Sequence, residues 1–381
     1  LPIVYASRNL AQHLRRGHPW IYRSRVNGTP DVPSGTWVQV RCADWTGYGL
    51  WDAKSPIAVR VFSPKRLPDA DWVTERVRQA WTLRKPVRGA DNSAYRWLYG
   101  EGDGVPGVVV DLYGHYAVIQ TYAESLDALL DWIVSGLISC AELKGILLRG
   151  DDVRVLWGRQ PPRDLIVEEN GLRFYVDLYA GQKTGLYLDH REHRSYLQQW
   201  CAGKRILNCF AYTGAFTLYA VRGGASEVVS VDIASPAASQ IERNLRLNGF
   251  DPGPHPTIVA DCFELLDRYA TEGRRFDVVI LDPPALARSK KSYGAAMKAY
   301  TRLNQSAIAC LPEGGLLATA SCTAQVSVDD FRGILADAAA QAQRRLLILH
   351  QAGQAIDHPV PAHFPEGRYL KFVLATPRDL A

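Results

Sequence analysis

Neither a C-x-x-C pair nor a matched disulfide framework occurs among the seven cysteines, so reduced thiols in a cytoplasmic protein are expected and no metal set is indicated. No apolar run is long enough to span a bilayer, and no signal peptide or lipidation motif is present, so no membrane partner is expected. Neither sign of charge dominates: 44 basic against 39 acidic residues leave +5. That balance suits a nucleic-acid partner without demanding one. The chain has one methionine and opens on Leu1, so a few N-terminal residues are expected to be missing. What is present is length: 381 residues predict two or three domains.

A glycine-rich dinucleotide fingerprint is also lacking, and its absence is informative at Lys204 to Asp232. Ile206 and Leu207 open a short apolar strand, Asn208 to Thr213 read as a small-residue loop, and Gly214 to Val221 start a helix. Val228 to Val231 form a second strand ending on Asp232, which completes a β-α-β unit. An acid closing the second strand of such a unit is placed to hold ribose hydroxyls. A pyrophosphate needs close backbone approach at several points, and the loop has a single glycine, Gly214. S-adenosylmethionine carries no phosphate, keeps the ribose, and offers a carboxylate to a loop amide or helix N-terminus. The plainer alternative is an ordinary α/β turn whose aspartate caps a helix.

Upstream, residues 1–68 read as a small β domain, with strands at Trp37 to Arg41, Tyr48 to Trp51 and Ile57 to Phe62. Arg8 to Arg25 interleave basic and aromatic residues, among them Arg15, Arg16, Trp20 and Arg23. Cations meet phosphates and rings stack on bases, so this is an RNA-binding candidate. A solvated basic helix with Trp20 and Tyr22 in the core is the competing reading. Residues 69–185 predict a central α/β domain: a helix over Asp69 to Arg84, strands at Trp97 to Tyr99, Val108 to Leu112 and Ala117 to Thr121, then a helix from Leu126 to Ile138. Gly100 to Gly107 form a punctuated loop, either a tight turn or a binding loop.

Residues 186–381 continue the alternation to a seven-stranded sheet with a final hairpin. Just before it, Ala180 to Arg194 read as an exposed polar turn in which Lys183 and Arg191 are candidates for a cofactor carboxylate or an RNA phosphate. His190 and His193 share one helical face, but a metal reading lacks a third ligand. Past the cradle, strands end on Asp261, on Asp282-Pro283-Pro284, and on Ser321-Cys322-Thr323. Asp261 and Phe263 are placed to meet the edge and face of an adenine.

Enzymes that methylate exocyclic amines commonly follow the two prolines with an aromatic residue; here Ala285 follows. Carbon 5 of cytosine instead needs a thiolate added at carbon 6 before it can attack a sulfonium methyl. Cys322 stands where that thiolate is required, and Asp282 could hold or protonate N3 of the base. The bland alternative for Cys322 is a small buried hydrophobe at a strand end.

In order, HPWIY, GEGDGVPGVVVDLYG, GQKTGLYLDHREHR, LNCFAYTGAF, LDPP, SCT, and DHPV with FPEGRYLKF run through nearly the whole chain. Together they resemble the bacterial family of large-subunit ribosomal RNA cytosine-carbon-5 methyltransferases. The resemblance implies a PUA-like RNA-binding domain, a central α/β domain and a Rossmann-like class I methyltransferase domain using S-adenosylmethionine. It implies Cys322 as nucleophile and Asp282 as its helper, with Asn208, Phe210, Tyr212, Gly214, Asp232 and Asp261 at the cofactor. The implied partner is 23S ribosomal RNA, free or in a partly assembled subunit, with a homodimer left open. One departure is that Ala285-Leu286-Ala287 precede Arg288 where the family places a basic residue and an aromatic. Base-amine or guanine methylation without covalent catalysis, and a non-catalytic RNA-binding assembly factor, remain the competing functions.

Overall fold

In the computed structural model, which describes residues 1–287 and 290–380, the chain divides into two units. The first comprises Leu1–Gly171, Tyr175–Leu188 and Ile356–Gly367; the second comprises Leu172–Phe174, Asp189–Ala355 and Arg368–Ala381.

The first unit holds a six-stranded and a five-stranded sheet. In the six-stranded sheet the spatial order is Trp20–Tyr22, Ile57–Ser63, Trp45–Trp51, Trp37–Cys42, Ile3–Ala6 and Val26–Asn27. Its core is built from Val38, Val40, Trp51, Val59 and Ile21. The competing reading of Arg8 to Arg25 as a basic helix does not hold: only Ala11–Arg15 is α-helical, Trp20–Tyr22 is an edge strand, and Tyr22 is exposed rather than core. Gly17 and Pro19 explain the break, since neither sustains a helix.

In the five-stranded sheet, Ala94–Tyr99, Val108–Tyr113, Tyr116–Thr121, Gly145–Arg149 and Val153–Gly158 lie side by side in sequence order. The helix Ala70–Leu83 starts where the Asp69 carboxylate accepts the Trp72 N–H, and it buries Trp72, Val73 and Val77 with Trp97, Val110 and Ile133. The expected helix over Leu126 to Ile138 is 3₁₀ at Glu124–Leu129 and α-helical only from Leu130 to Cys140.

Two buried arginines organise this unit. Arg84 makes a two-pronged bond to Asp103, at 2.6 and 2.7 Å, and donates to the Asp357 carbonyl at 2.8 Å. Arg96 grips Asp111 in the same way, at 2.7 and 2.9 Å, while its backbone N–H donates to the Asp357 carboxylate at 2.9 Å. The Thr184 hydroxyl adds a bond to Asp111 at 2.6 Å. Thus Gly100 to Gly107 supply a structural carboxylate, Asp103, which also accepts the Tyr99 N–H at 2.6 Å.

In the second unit α1 is Arg191–Gln198. The elements after it are β1 Arg205–Cys209, α2 Ala215–Arg222, β2 Glu227–Asp232, α3 Ala237–Leu247, β3 Thr257–Val259, α4 Cys262–Thr271 and β4 Val278–Leu281. They continue with α5 Tyr293–Ala309, β5 Leu316–Ser321, α6 Val328–Gln341, β6 Arg344–Ala352 and β7 Lys371–Asp379. The sheet order is β3-β2-β1-β4-β5-β7-β6, with β7 antiparallel to both of its neighbours and the other pairs parallel. This is the order of a class I methyltransferase sheet. One face is covered by α4, α5 and α6 through Leu265, Tyr300, Leu303 and Phe331, the other by α1 and α2 through Leu197, Phe216 and Ala220.

Because a buried charge left without its partner is expensive, Asp103→Ala should destabilise the first unit by about 3–5 kcal/mol. Urea denaturation followed by tryptophan fluorescence reads this as an earlier first transition. An unchanged midpoint would show that the Arg84 pair is not a support.

Candidate active site

The loop after β1 begins later than the small-residue run suggested. Asn208 and Cys209 still pair with Ser230 and Val231 of β2 and with Ile280 and Leu281 of β4, so the loop proper runs from Phe210 to Gly214. The Asn208 side chain is buried and donates to Thr217 at 2.9 Å. Phe210 and Tyr212 both hold left-handed backbone, at φ 60 and 50, which costs residues with a Cβ about 1–3 kcal/mol each. The loop is held by named bonds: Phe210 N–H to Cys262 Sγ at 3.3 Å, Ala211 N–H to the Val231 carbonyl at 3.0 Å, Tyr212 N–H to Asp232 Oδ2 at 2.8 Å. Asn244 donates to the Thr213 carbonyl at 2.9 Å. Gly214 has φ 83, and a Cβ there would fall 2.9 Å from Ile241 Cγ1. Only glycine fits, and its backbone turns the chain into α2.

Asp232 is braced at both oxygens, since Oδ1 also accepts the Ala234 N–H at 2.9 Å. Each oxygen keeps a second lone pair, which is what a ribose diol requires of a carboxylate. Ile233 follows it and is 71% exposed, an apolar side chain set out in solvent beside the braced acid. Sequence reading passed over it; an apolar residue directly after a strand-end acid was the available signal. Asp261 caps α4 through Oδ1, accepting the Phe263 and Glu264 N–H groups at 2.8 and 3.2 Å. The Phe263 ring meets Phe210 edge-on at 6.1 Å. A braced acid, a capping acid and paired rings fit a nucleoside with no phosphate.

Beyond the same sheet edge, β4 pairs with β5 in parallel, Leu281 opposite Thr319. Asp282 and Cys322 therefore leave adjacent strands. Cys322 is half-buried with Sγ 3.9 Å from the Pro283 carbonyl. Within this unit Cys201, Cys209, Cys262 and Cys310 are buried; burial pushes Cys201 up to about 12 and Cys310 to about 11. Thr323 holds the strand end in place, its hydroxyl meeting Tyr300 at 2.8 Å and the Leu286 N–H at 3.2 Å.

The run Asp189 to Arg194, expected as an exposed turn, is instead mostly buried. Part of the cost of burial is offset by bonds within the unit: His193 Nδ1 lies 2.9 Å from His190 Nδ1, and Asp189 Oδ2 accepts the Tyr369 hydroxyl. His190 Nε2 is 3.3 Å from Asp282 Oδ1. Sequence reading considered His190 only as a metal ligand. Desolvation, reinforced by His190, holds the His193 imidazole well below its ordinary range, so that ring is neutral. Arg191 is buried at the head of α1, with Nη2 3.3 Å from Glu192.

The remaining candidates lie in the first unit. Lys183 sits over the Tyr187 ring at 4.4 Å. Arg15 and Arg16 are exposed, Arg15 paired with Asp44. Trp20 is half-buried; its Nε1 donates to Glu101 at 2.8 Å and its ring meets Phe364 edge-on at 4.7 Å. Arg23 donates to the Ser55 carbonyl at 2.8 Å and lies over Trp51. Arg288 lies outside the described residues.

Residues 148–352 match the family described as S-adenosylmethionine-dependent methyltransferase, and residues 5–64 match the PUA-like domain family. Over 97% of its length the chain is 36% identical to the ribosomal RNA large subunit methyltransferase I of Vibrio cholerae, covering 98% of that protein. It is 35% identical to the enzyme of the same name from Aeromonas salmonicida, over 98% and 99% of the two chains. Among solved structures, that of SMU.776 complexed with SAH is similar in fold, with a TM-score of 0.89 at 24% identity over 99% of this chain and 100% of that one.

Gly214→Ala should cost about 1–3 kcal/mol at the loop, read by calorimetry as a roughly tenfold or greater loss of S-adenosylmethionine affinity. Wild-type affinity in a folded variant would mean that the loop does not hold the cofactor.

Proposed function

The chain belongs to the S-adenosylmethionine-dependent methyltransferases that carry a PUA-like domain, and from that premise we propose that it forms 5-methylcytosine in 23S ribosomal RNA through a covalent adduct with Cys322. The observation that supports the reading is the pair of strand ends: a half-buried thiol and an aspartate, 18% exposed, that follow adjacent strands β5 and β4, with Cys322 Sγ 3.9 Å from the Pro283 carbonyl. The relatives named as large-subunit ribosomal RNA methyltransferases support the RNA class. The cytoplasm, where such RNA is handled, is the proposed location.

When bound, the cofactor supplies an electrophilic sulfonium methyl. Tyr212, Gly214 and the α2 N-terminus would receive its carboxylate end, with Phe210 beside them. Asp232 would take the ribose, and Ile233, Asp261 and Phe263 the adenine. Asn208 would act from within β1, through Thr217, and Lys183 and Arg191 are proposed as further cations for its carboxylate or for RNA phosphate. The Cys322 thiolate adds to carbon 6, and the electron pair released from the carbon 5–carbon 6 double bond is drawn toward N3. The Asp282 carboxyl group, beside His190, donates a proton to N3 as that charge arrives, which leaves a neutral enamine with a nucleophilic carbon 5. After methyl transfer the carbon 5 proton passes to water, the thiolate is expelled, and N3 returns its proton to Asp282, which restores the ring.

RNA would meet the basic stretch of the PUA-like domain at Arg15 and Arg16, with Trp20 and Arg23 shaping that surface. The Arg15–Asp44 pair is exposed and so worth little. It can be exchanged for a phosphate.

Cys322→Ala should retain cofactor affinity and lose methyl transfer by a factor of about 10³ or more, while Asp282→Asn should slow it by about 10²–10³. Nucleoside mass spectrometry of large-subunit RNA incubated with labelled cofactor checks both the product and the loss. A methylated guanine or exocyclic amine, or full activity in Cys322→Ala, would overturn the covalent reading. Binding of RNA without any cofactor affinity would favour an assembly factor. Replacing Arg15 and Arg16 by alanine should lower the slope of log affinity against log salt by about 1 per lost phosphate contact. An unchanged slope would move the RNA surface elsewhere.

A further inference from the structure

Lys371, the first residue of β7, pairs in register with Ser321 at the end of β5. Its side chain therefore serves the turn that carries Cys322. Nζ donates to the Thr323 carbonyl at 2.6 Å and to the Tyr369 carbonyl at 2.8 Å, and the residue is 1% exposed. Both acceptors are neutral, and among the described residues no carboxylate lies within ion-pair distance of Nζ. A buried ammonium in that position is costly, and an apolar side chain of similar volume would ordinarily serve stability better. A charge kept at such cost points to an anion it is kept for.

Two groups of negative charge bear on it, Cys322 and Asp330. Asp330 is already occupied: it accepts the Ser327 N–H at 2.9 Å in the cap of α6, and it takes a bond from the Tyr293 hydroxyl. Tyr300 also meets the turn, and burial raises its phenol, so it stays neutral and brings no competing anion, while Asp282 on the neighbouring strand end already has His190 Nε2 at 3.3 Å. That leaves the thiol.

We propose that Lys371 is a positioning residue that holds Cys322 as a thiolate, its buried ammonium standing behind the turn on which the sulfur is carried. The S–H bond breaks, the proton passes to water, and Lys371 remains protonated, so that the unit at rest is an ammonium–thiolate pair. Desolvation lowers the Lys371 ammonium to about 8, which still leaves it mostly charged at neutral pH. Above that value the cation is lost, and its support for the thiolate goes with it. The inference rests on the reading of Cys322 as nucleophile, yet it concerns the acidity of the sulfur in the absence of RNA.

The test is the rate of Cys322 alkylation by iodoacetamide as a function of pH, in full-length protein carrying Cys140→Ser, because Cys140 is the other cysteine that is not buried. The expected midpoint lies below the roughly 8.5 of a free thiol. Lys371→Met should raise it by about one pH unit or more, an approximately tenfold slower reaction at pH 7, with Lys371→Arg restoring part of the shift and cofactor affinity unchanged in both. A folded Lys371→Met with the wild-type midpoint would overturn the proposal, as would a wild-type midpoint at or above that of a free thiol, which can be read even if no variant folds. Should alkylation behave as expected while RNA acquires no 5-methylcytosine, the function assigned to the thiol fails and its electrostatic tuning stands. The converse result removes the tuning alone.

Discussion

Parallel pairing of β4 with β5 is the constraint on which the site depends. Leu281 opposite Thr319 fixes how far each strand runs before it leaves the sheet, and so brings Asp282 and Cys322 out together. A one-residue slip would turn every side chain of a strand to the other face. Both faces here are buried beneath helices, so register is enforced by packing on both sides. The antiparallel strand β7 then closes the arrangement by placing Lys371 against Ser321. The placement of these three residues at one end of the sheet is thus a by-product of apolar packing throughout it.

The loop proposed to cradle the cofactor is held under strain by the same kind of packing. Phe210 and Tyr212 hold backbone that residues with side chains avoid, and bonds from Cys262, Val231, Asp232 and Asn244 keep the loop there. Asp232 has two tasks at once, bracing the Tyr212 amide and presenting lone pairs outward. Such a carboxylate is ordered before any ligand arrives, which reduces the entropy lost on binding.

Much of this was legible in the sequence. Apolar runs in the second unit marked β1, β2, β4 and β5 because these strands are buried on both faces. Asp282 and Cys322 stand out as candidates because each lies at the end of such a run. Val153–Gly158 escaped notice because it is a half-exposed edge strand whose alternation is too weak to mark it. The depth of Asp189 to Arg194 was hidden for another reason: a charged run reads as solvated unless its distant partners, Tyr369 and Asp282, are known. Lys371 was invisible on the same ground, since nothing local tells a buried lysine from an exposed one. Conversely, the Gly100 to Gly107 loop, open in one dimension to a turn or a binding role, supplies Asp103 to hold an arginine.

The three visits that the chain makes to its first unit have a consequence for biosynthesis. Asp357, which receives Arg84 through its carbonyl and the Arg96 amide through its carboxylate, lies in Ile356–Gly367, between β6 and β7. Asp357 follows Arg84 by 273 residues, so the arginine lattice of the leading segment stays incomplete on the ribosome until that distant stretch has been made. Cutting the gene at an apparent domain boundary would therefore yield a fragment missing a keystone of its own interior.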